Sequence, residues 1–586
     1  MTRTLLLITI AIFTLSACAG FGPAADQTTT LEQTTSHIVK ADSLADAKAA
    51  VAAVDGTITH ELGVIGAVGA DLTADQLAAL REDDRVRRVY GNAGVESAGK
   101  PVKDGGKDTT DATADGEAAG DSYTEFPSVV RVPQLHDQGI DGLGVTIAIV
   151  DSGIYSGPGI TKDRYALDRI VAVYDATADL LYLPGKGRGA TDFDKFDIDD
   201  NGHGSHVAGV MSSSKLAENG KFNGIAPAAR LVSVKVFDDQ GRGSYADVIR
   251  GIDWIVANRG THNIDIVNMS LSATPRSHYW DDPLNQAVMA AWDAGIVVVA
   301  SAGNSGPFAQ SIGVPGNVPY IITVGAMTDN YTPNKEGDDR LATFSAVGPT
   351  FEGFVKPEVV APGGHIVASM SELDRIVLDY PGFYIGANYY EMSGTSQATA
   401  IVSGIAALIL QMEPGLSPDA VKCKLMHSAR PAVNSNGTLA YSVFQQGAGM
   451  VNAEAAVFEP TQDCANRGLD VRADLDGTMH FGGRANQDEN GNYYLMGLDG
   501  YLWTDGGVSG NGYLWTDAYL WTDGYLWTDA YLWTDGSLGA NGYLWTDGYL
   551  WTDGYLWTDG YLWTDGYLWT DSLTESASIN TWVNPE

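Results

Sequence analysis

The chain has 586 residues, too many for a single core, so it divides into several parts. Acids outnumber bases 73 to 35, a formal net charge of −38. That balance argues against a nucleic-acid partner, because holding phosphates takes clustered Lys and Arg, and it predicts a soluble, self-repelling surface.

The first stretch, "MTRTLLLITIAIFTLSAC", places Arg3 ahead of an apolar run from Leu5 to Leu15 and closes on small residues. This is the organisation of a secretory signal, and the run is too short for a stable bilayer anchor. Leu15, Ser16, Ala17 and Cys18 resemble a bacterial lipobox, which predicts cleavage just before Cys18 and lipid on its thiol. The competing reading is an ordinary signal peptide that happens to contain a Cys. Residues 1–18 are thus read as a lipoprotein-type leader, with export and, in a Gram-negative host, an outer-membrane precursor as the expected location. On this reading the membrane is touched only through that lipid. The remaining cysteines, Cys423 and Cys464, sit in no catalytic or metal motif, and in an exported protein they are expected to form a disulfide.

Residues 19–98 contain strand-like apolar pieces around an Ala-rich helix, and "LTADQLAALREDDRVRRVYGN" opens with a helix start and ends in a strand. Residues 99–122 are rich in Gly, Asp and Thr and poor in apolar side chains, a solvated linker.

From residue 123 the pattern changes. "VTIAIVDSGI" is a continuous apolar run ending in an acid, as expected of a buried parallel strand with Asp151 at its carboxyl end. "NGHGSHVAGV" places His203 near a helix start, and "MSGTSQATAIVSGIAALIL" puts Ser396 just ahead of a long apolar helix. Between them, "ARLVSVKVF" and "IDIVNMSL" read as buried strands, and "YADVIRGIDWIVANR" and "LNQAVMAAWDAG" as connecting helices. The alternation predicts an α/β domain, a parallel sheet covered on both faces with right-handed crossovers. A nucleophile, a base and an orienting acid are all available.

These strings, in this order, resemble the subtilisin-like serine proteases, the subtilase family, over residues 123–458. The resemblance implies that Ser396 attacks, His203 serves as general base and then acid, and Asp151 orients the imidazole. In "VVVASAGNSG" it makes Asn304 an oxyanion donor together with the backbone N–H of Ser396. It assigns Gly241, Arg242 and Gly243, and Ser270, Leu271 and Ser272, to the two edges flanking an extended polypeptide substrate. The pocket beside the cut bond is walled by Ser270 to Ser272, Ala300 to Gly303 (Ala302 and Gly303 foremost) and Gly313, and the absence of charge predicts a preference for large apolar or aromatic residues. His206 is read as structural. No cofactor is expected for the chemistry.

By the same resemblance, residues 19–98 are similar to the inhibitory propeptides of subtilases, making this segment an intramolecular inhibitor removed by a cut in or beside the linker; a small independent binding domain is the alternative. Two departures stand out. Gln397 follows the nucleophile where the family has Met, so that position has no thioether to oxidise. The stretch between Asp151 and His203 is long and carries Asp192, Asp194, Asp197, Asp199 and Asp200. It is either a Ca²⁺ site, with Asp194, Asp197 and Asp199 as its core, or a solvated acidic loop.

After a connecting segment, 459–494, thirteen hexads run from Leu495 to Ser572 without a frame break, ten of them beginning YLWTD, and residues 573–586 close the chain. Every second position is Leu, Met or Val and every fifth is Asp or Asn, most often followed by Gly. An even period keeps each position on one face of extended chain, whereas a Gly every six residues opposes a helix. Two readings stay open: a β-rich solenoid with Leu inside, or a low-complexity tail without fixed fold. With no nucleophile or base of its own, the repeat is expected to be an appendage that binds a surface or polymer through Tyr and Trp. The rival functional reading makes that repeat the working part of an adhesin.

Overall fold

The computed structural model describes residues 33–98, 125–157, 159–183, 198–217, 219–330, 332, 339–434, 438–488, 491–495, 548–553 and 559–560. Cys18, the linker after Ala98, the acids Asp192, Asp194 and Asp197, and most of the hexapeptide repeat lie outside these residues.

The N-terminal unit is a four-stranded antiparallel sheet of β1 (Thr35–Ala41), β2 (Thr57–Leu62), β3 (Ala67–Leu72) and β4 (Val86–Gly91) in the order β2-β3-β1-β4. Helices Leu44–Ala53 and Ala74–Arg81 accompany it, the second begun by a capping box between Thr73 and Gln76. Alternation buries Val39, Val51, Val68, Leu72 and Leu80 in a small core of their own. After β4 the chain runs on as β5 (Gly94–Ser97), which leaves this sheet altogether.

The large unit is built on β6 (Thr146–Asp151), β7 (Ile170–Asp175), β8 (Leu180–Tyr182), β9 (Arg230–Lys235), β11 (Ile266–Met269), β13 (Val297–Ser301), β14 (Ile322–Thr328), β15 (Arg340–Leu341) and β16 (Val359–Pro362). Their order is β15-β14-β13-β11-β6-β9-β7-β8, with β16 also on β14. Seven of the nine are parallel; the short edge strands β8 and β15 are antiparallel, a departure from the purely parallel sheet read from sequence. Every residue of β6, β11 and β13 is buried, the reason these segments read as unbroken apolar runs. Helices His203–Ser212 and Thr395–Met412 pack together on the sheet, and Tyr245–His262 pairs with Pro283–Asp293. Thr395–Met412 is apolar all round because it is buried nearly all round.

The small sheet docks on the second helix pair. Val64 N donates to Asp253 Oδ1 (2.6 Å), His60 Nε2 lies 3.1 Å from Asp247 Oδ1, and Lys40 Nζ donates to Gln286 Oε1 (2.6 Å).

The segment expected only to connect folds onto the large unit as far as Leu495. Asp474 receives the hydroxyls of Tyr279 (2.6 Å) and Tyr320 (2.5 Å) and lies 2.8 Å from His480 Nδ1, while Ala485–Gln487 pairs with Tyr493–Leu495. Cys423 and Cys464 are joined as a buried disulfide that ties this segment to helix Pro418–His427. The bridge closes a loop of 41 residues. A Cys423→Ser, Cys464→Ser double variant is therefore expected to lose about 2–4 kcal/mol in urea unfolding relative to the oxidised protein. Identical midpoints would show that the bridge constrains nothing. Within the repeat, the described strands Gly548–Asp553 and Asp559–Gly560 pair in parallel.

Candidate active site

The carboxyl ends of the parallel strands deliver the site. Asp151 is the last residue of β6, and His203 opens its helix after Gly202, which holds φ at 101°. The two meet at 2.7 Å, His203 Nδ1 to Asp151 Oδ1, and both are fully buried. Asp151 Oδ1 also accepts from the Ser152 N–H at 2.8 Å. With Nδ1 donating to the carboxylate, Nε2 is left as the lone-pair nitrogen a base requires, and it carries no other hydrogen bond. Close approach of the helix depends on Gly204, where a Cβ would stand 2.1 Å from the Gly153 carbonyl oxygen.

Ser396 sits in the first turn of helix Thr395–Met412. Its hydroxyl donates to the Ser270 carbonyl at 3.3 Å rather than to His203, so the nucleophile–base hydrogen bond is not made in this arrangement. Its N–H is one of the first-turn donors that a helix leaves without an internal partner. Asn304, on the loop after β13, is held from behind: its Oδ1 accepts from Thr395 N (3.0 Å) and Thr395 Oγ1 (2.9 Å), which aims Nδ2 forward.

What Nδ2 meets is the chain's own Ala98. Asn304 Nδ2 donates to the Ala98 carbonyl, and the Ala98 N–H donates to Ser270 O at 3.1 Å. Behind Ala98, β5 lies antiparallel between β10 (Arg242–Ser244) and β12 (Leu271–Ser272), forming a three-stranded sheet. Glu96 pairs with Arg242 on one side and Ser272 on the other, and Ser97 N donates to Gly241 O at 3.1 Å. The structure thus gathers Gly241 to Gly243, Ser270 to Ser272, Asn304 and Ser396 around one extended segment. Gly303 and Gly313 both back onto Ser272, and Gly313 N donates to Ala302 O (3.0 Å).

The profile of the subtilase family matches residues 142–449, more than half of the chain. The chain belongs to the subtilase family. It is 38% identical to serine protease AprX of Bacillus subtilis over 399 residues, which is 67% of this chain and 79% of that relative. With subtilisin BL of Lederbergia lenta it shares 31% identity over 329 residues, 56% of this chain and 96% of the relative. Among solved structures, fervidolysin of Fervidobacterium pennivorans superposes with a TM-score of 0.54 at 22% identity, covering 79% of this chain and 67% of that one, a likeness of fold. The protein is a subtilisin-like serine peptidase, of a family that acts on polypeptides.

The other residues of this subtilase sort by environment. His206, one turn after His203, is fully buried, and burial pushes its imidazole down to about 3 despite its contact with the Tyr390 carbonyl (3.1 Å). It is therefore neutral and structural, with Gln397 Nε2 3.3 Å from its Nδ1. Asp199 lies at the amino end of the helix that carries His203. Its Oδ1 accepts from the N–H groups of Asn201 (3.3 Å) and Gly202 (2.9 Å), and its Oδ2 from Ser205 N (2.8 Å) and Ser205 Oγ. Asp199 is thus committed to the amino end of the His203 helix, where it satisfies first-turn donors, while its proposed calcium partners Asp194 and Asp197 lie outside the described residues.

Two positioning residues escaped the sequence reading. Lys235 Nζ ties the carbonyls of Ser152 and Ile198 (2.8 Å each), joining the residue after Asp151 to the loop that leads to His203. Thr395 aims Asn304, and its only signal was its place immediately before the nucleophile.

Proposed function

We propose that this subtilase is an exported endopeptidase that works through an acyl-enzyme on Ser396 and that matures by cutting its own Ala98–Gly99 bond. The observation carrying the reading is the seat of β5: it runs through the cleft as a substrate strand, and the residue that follows it, Ala98, presents its carbonyl to Asn304. Rotation of the Ser396 hydroxyl from Ser270 O towards His203 Nε2 puts the proton on the imidazole as Oγ bonds to the carbonyl carbon. Asn304 Nδ2 and the Ser396 N–H take the developing oxyanion, and Asp151 stabilises the imidazolium. The C–N bond then breaks, the amine leaves with the proton from His203, and water repeats the sequence to free the acid. The small N-terminal unit remains as an inhibitor that fills the cleft with its own product end. Support for export comes from the leader before Cys18 and from a disulfide, a bond suited to an oxidising compartment. The aromatic repeat serves as an attachment module for a surface or polymer.

The test is the mature amino terminus together with the residue modified by a fluorophosphonate probe. Mature protein beginning at Gly99, with the probe on Ser396, is expected. A terminus upstream of Ala98, or a probe that modifies another residue, refutes this assignment.

A further inference from the structure

We infer that Ser272 sets the size of the residue accepted on the acyl side of the cut bond and restricts it to small side chains such as that of Ala98. The inference rests on the peptidase reading above and deepens it. Ala98 is fixed at both ends of its backbone, by Ser270 O and by Asn304 Nδ2, and is only 6% exposed, so it lies buried between segment Ser270–Ser272 and the turn leading to Asn304.

Hydrogen bonds close this pocket on its far side. Ala273 and Val314 exchange two backbone bonds (2.9 and 2.8 Å), and Gly313 N donates to Ala302 O, so strand, turn and floor form one continuous wall. Gly303 and Gly313 on that wall have no side chains, which would leave a roomy slot. Ser272 fills it. A Cβ placed on Gly313 would stand 2.0 Å from Ser272 Oγ, and one placed on Gly303 would stand 2.8 Å from the same atom. The hydroxyl therefore occupies the space that both glycines vacate. A Phe or Leu entering beside Ala302 would have to displace it, whereas a methyl group would not. This replaces the preference for large apolar or aromatic residues expected from uncharged walls: the walls carry no charge, but the space between them is taken.

The experiment uses mature enzyme and fluorogenic peptides that keep the chain's own Val95, Glu96 and Ser97 and vary the next residue among Ala, Leu and Phe. Wild type is expected to favour Ala over Phe in kcat/KM by at least about tenfold, the scale on which one misfitting methylene is discriminated. Ser272→Gly should raise Phe relative to Ala by about tenfold or more. Ser272→Ala, which keeps the backbone constraint, should move the ratio the same way by a smaller factor, and Ser272→Val should depress Ala itself. Equal use of Phe and Ala by wild type, or an Ala-to-Phe ratio that Ser272→Gly and Ser272→Ala leave unchanged, overturns the inference. Failure of the underlying reading looks different: no peptide is cut and the fluorophosphonate leaves Ser396 unmodified, which removes both.

Discussion

Ser396→Ala yields a chain that folds, keeps its N-terminal unit and hydrolyses no peptide. Removing one buried oxygen at the start of helix Thr395–Met412 adds no volume, and the hydroxyl's single bond is to Ser270 O, so the stability cost is small. The loss of turnover is expected to be on the order of 10⁶-fold, the size known for subtilisin when its nucleophile is removed. The consequence reaches localisation. On the proposed reading Cys18 carries lipid on the amino side of the cut and Asp151, His203 and Ser396 lie on the other, so an uncut chain would keep the lipid and a cut one would not. Fractionated cells should show the variant at full length with the membrane and the wild-type catalytic unit in soluble or extracellular fractions, since acyl chains hold an uncut precursor to the bilayer. A wild-type catalytic unit that stays membrane-bound after its N-terminal unit and repeat are gone would sink the anchor argument.

Asn304→Ala is expected to cut kcat by roughly 10²- to 10³-fold while KM stays within a small factor, because its amide donates to an oxygen whose charge grows only as the bond is attacked. The same substitution removes the acceptor that Thr395 N and Oγ1 share, so some of the loss reflects a looser first turn under Ser396. Thr395→Val separates the two effects. It keeps Asn304 and the backbone donor and removes the hydroxyl's bond to Asn304 Oδ1 and the one it accepts from Gly303 N (3.3 Å), so a kcat loss smaller than that of Asn304→Ala is expected. Steady-state kinetics on one small peptide reads all three proteins. A rise in KM with unchanged kcat in Asn304→Ala would make the amide a substrate-binding group instead.

The placement of Asp151, His203, Ser396 and Asn304 was legible because each lies where local sequence dictates the backbone. Asp151 ends an apolar strand, Gly202 and Gly204 shape the turn and helix that carry His203, and Ser396 begins a helix whose composition announces burial. The sheet was legible for the same reason, since strands buried on both faces cannot hide their pattern. Far less could be read where the decisive partner is remote in sequence. An acid in the run from Asp192 to Asp200 looks the same whether it binds a cation or caps a helix. Only the N–H groups folded around Asp199 show that this one caps. Asp474 drew no attention in a segment taken for a connector, yet it gathers two tyrosine hydroxyls and a histidine from three parts of the chain.

By itself, the sequence determined the reaction: strand end, helix starts and glycine turns are short-range requirements, and they fix which carboxylate, imidazole and hydroxyl are available. Tertiary structure alone decided what the cleft holds. Ala98 is an unremarked residue before a polar linker until β5 is laid between β10 and β12, more than a hundred residues downstream. Ser272 is one more small uncharged residue until folding sets its hydroxyl against Gly303 and Gly313. The physical reason is that a pocket is an absence bounded by several segments, and its size depends on how far apart long-range packing holds them.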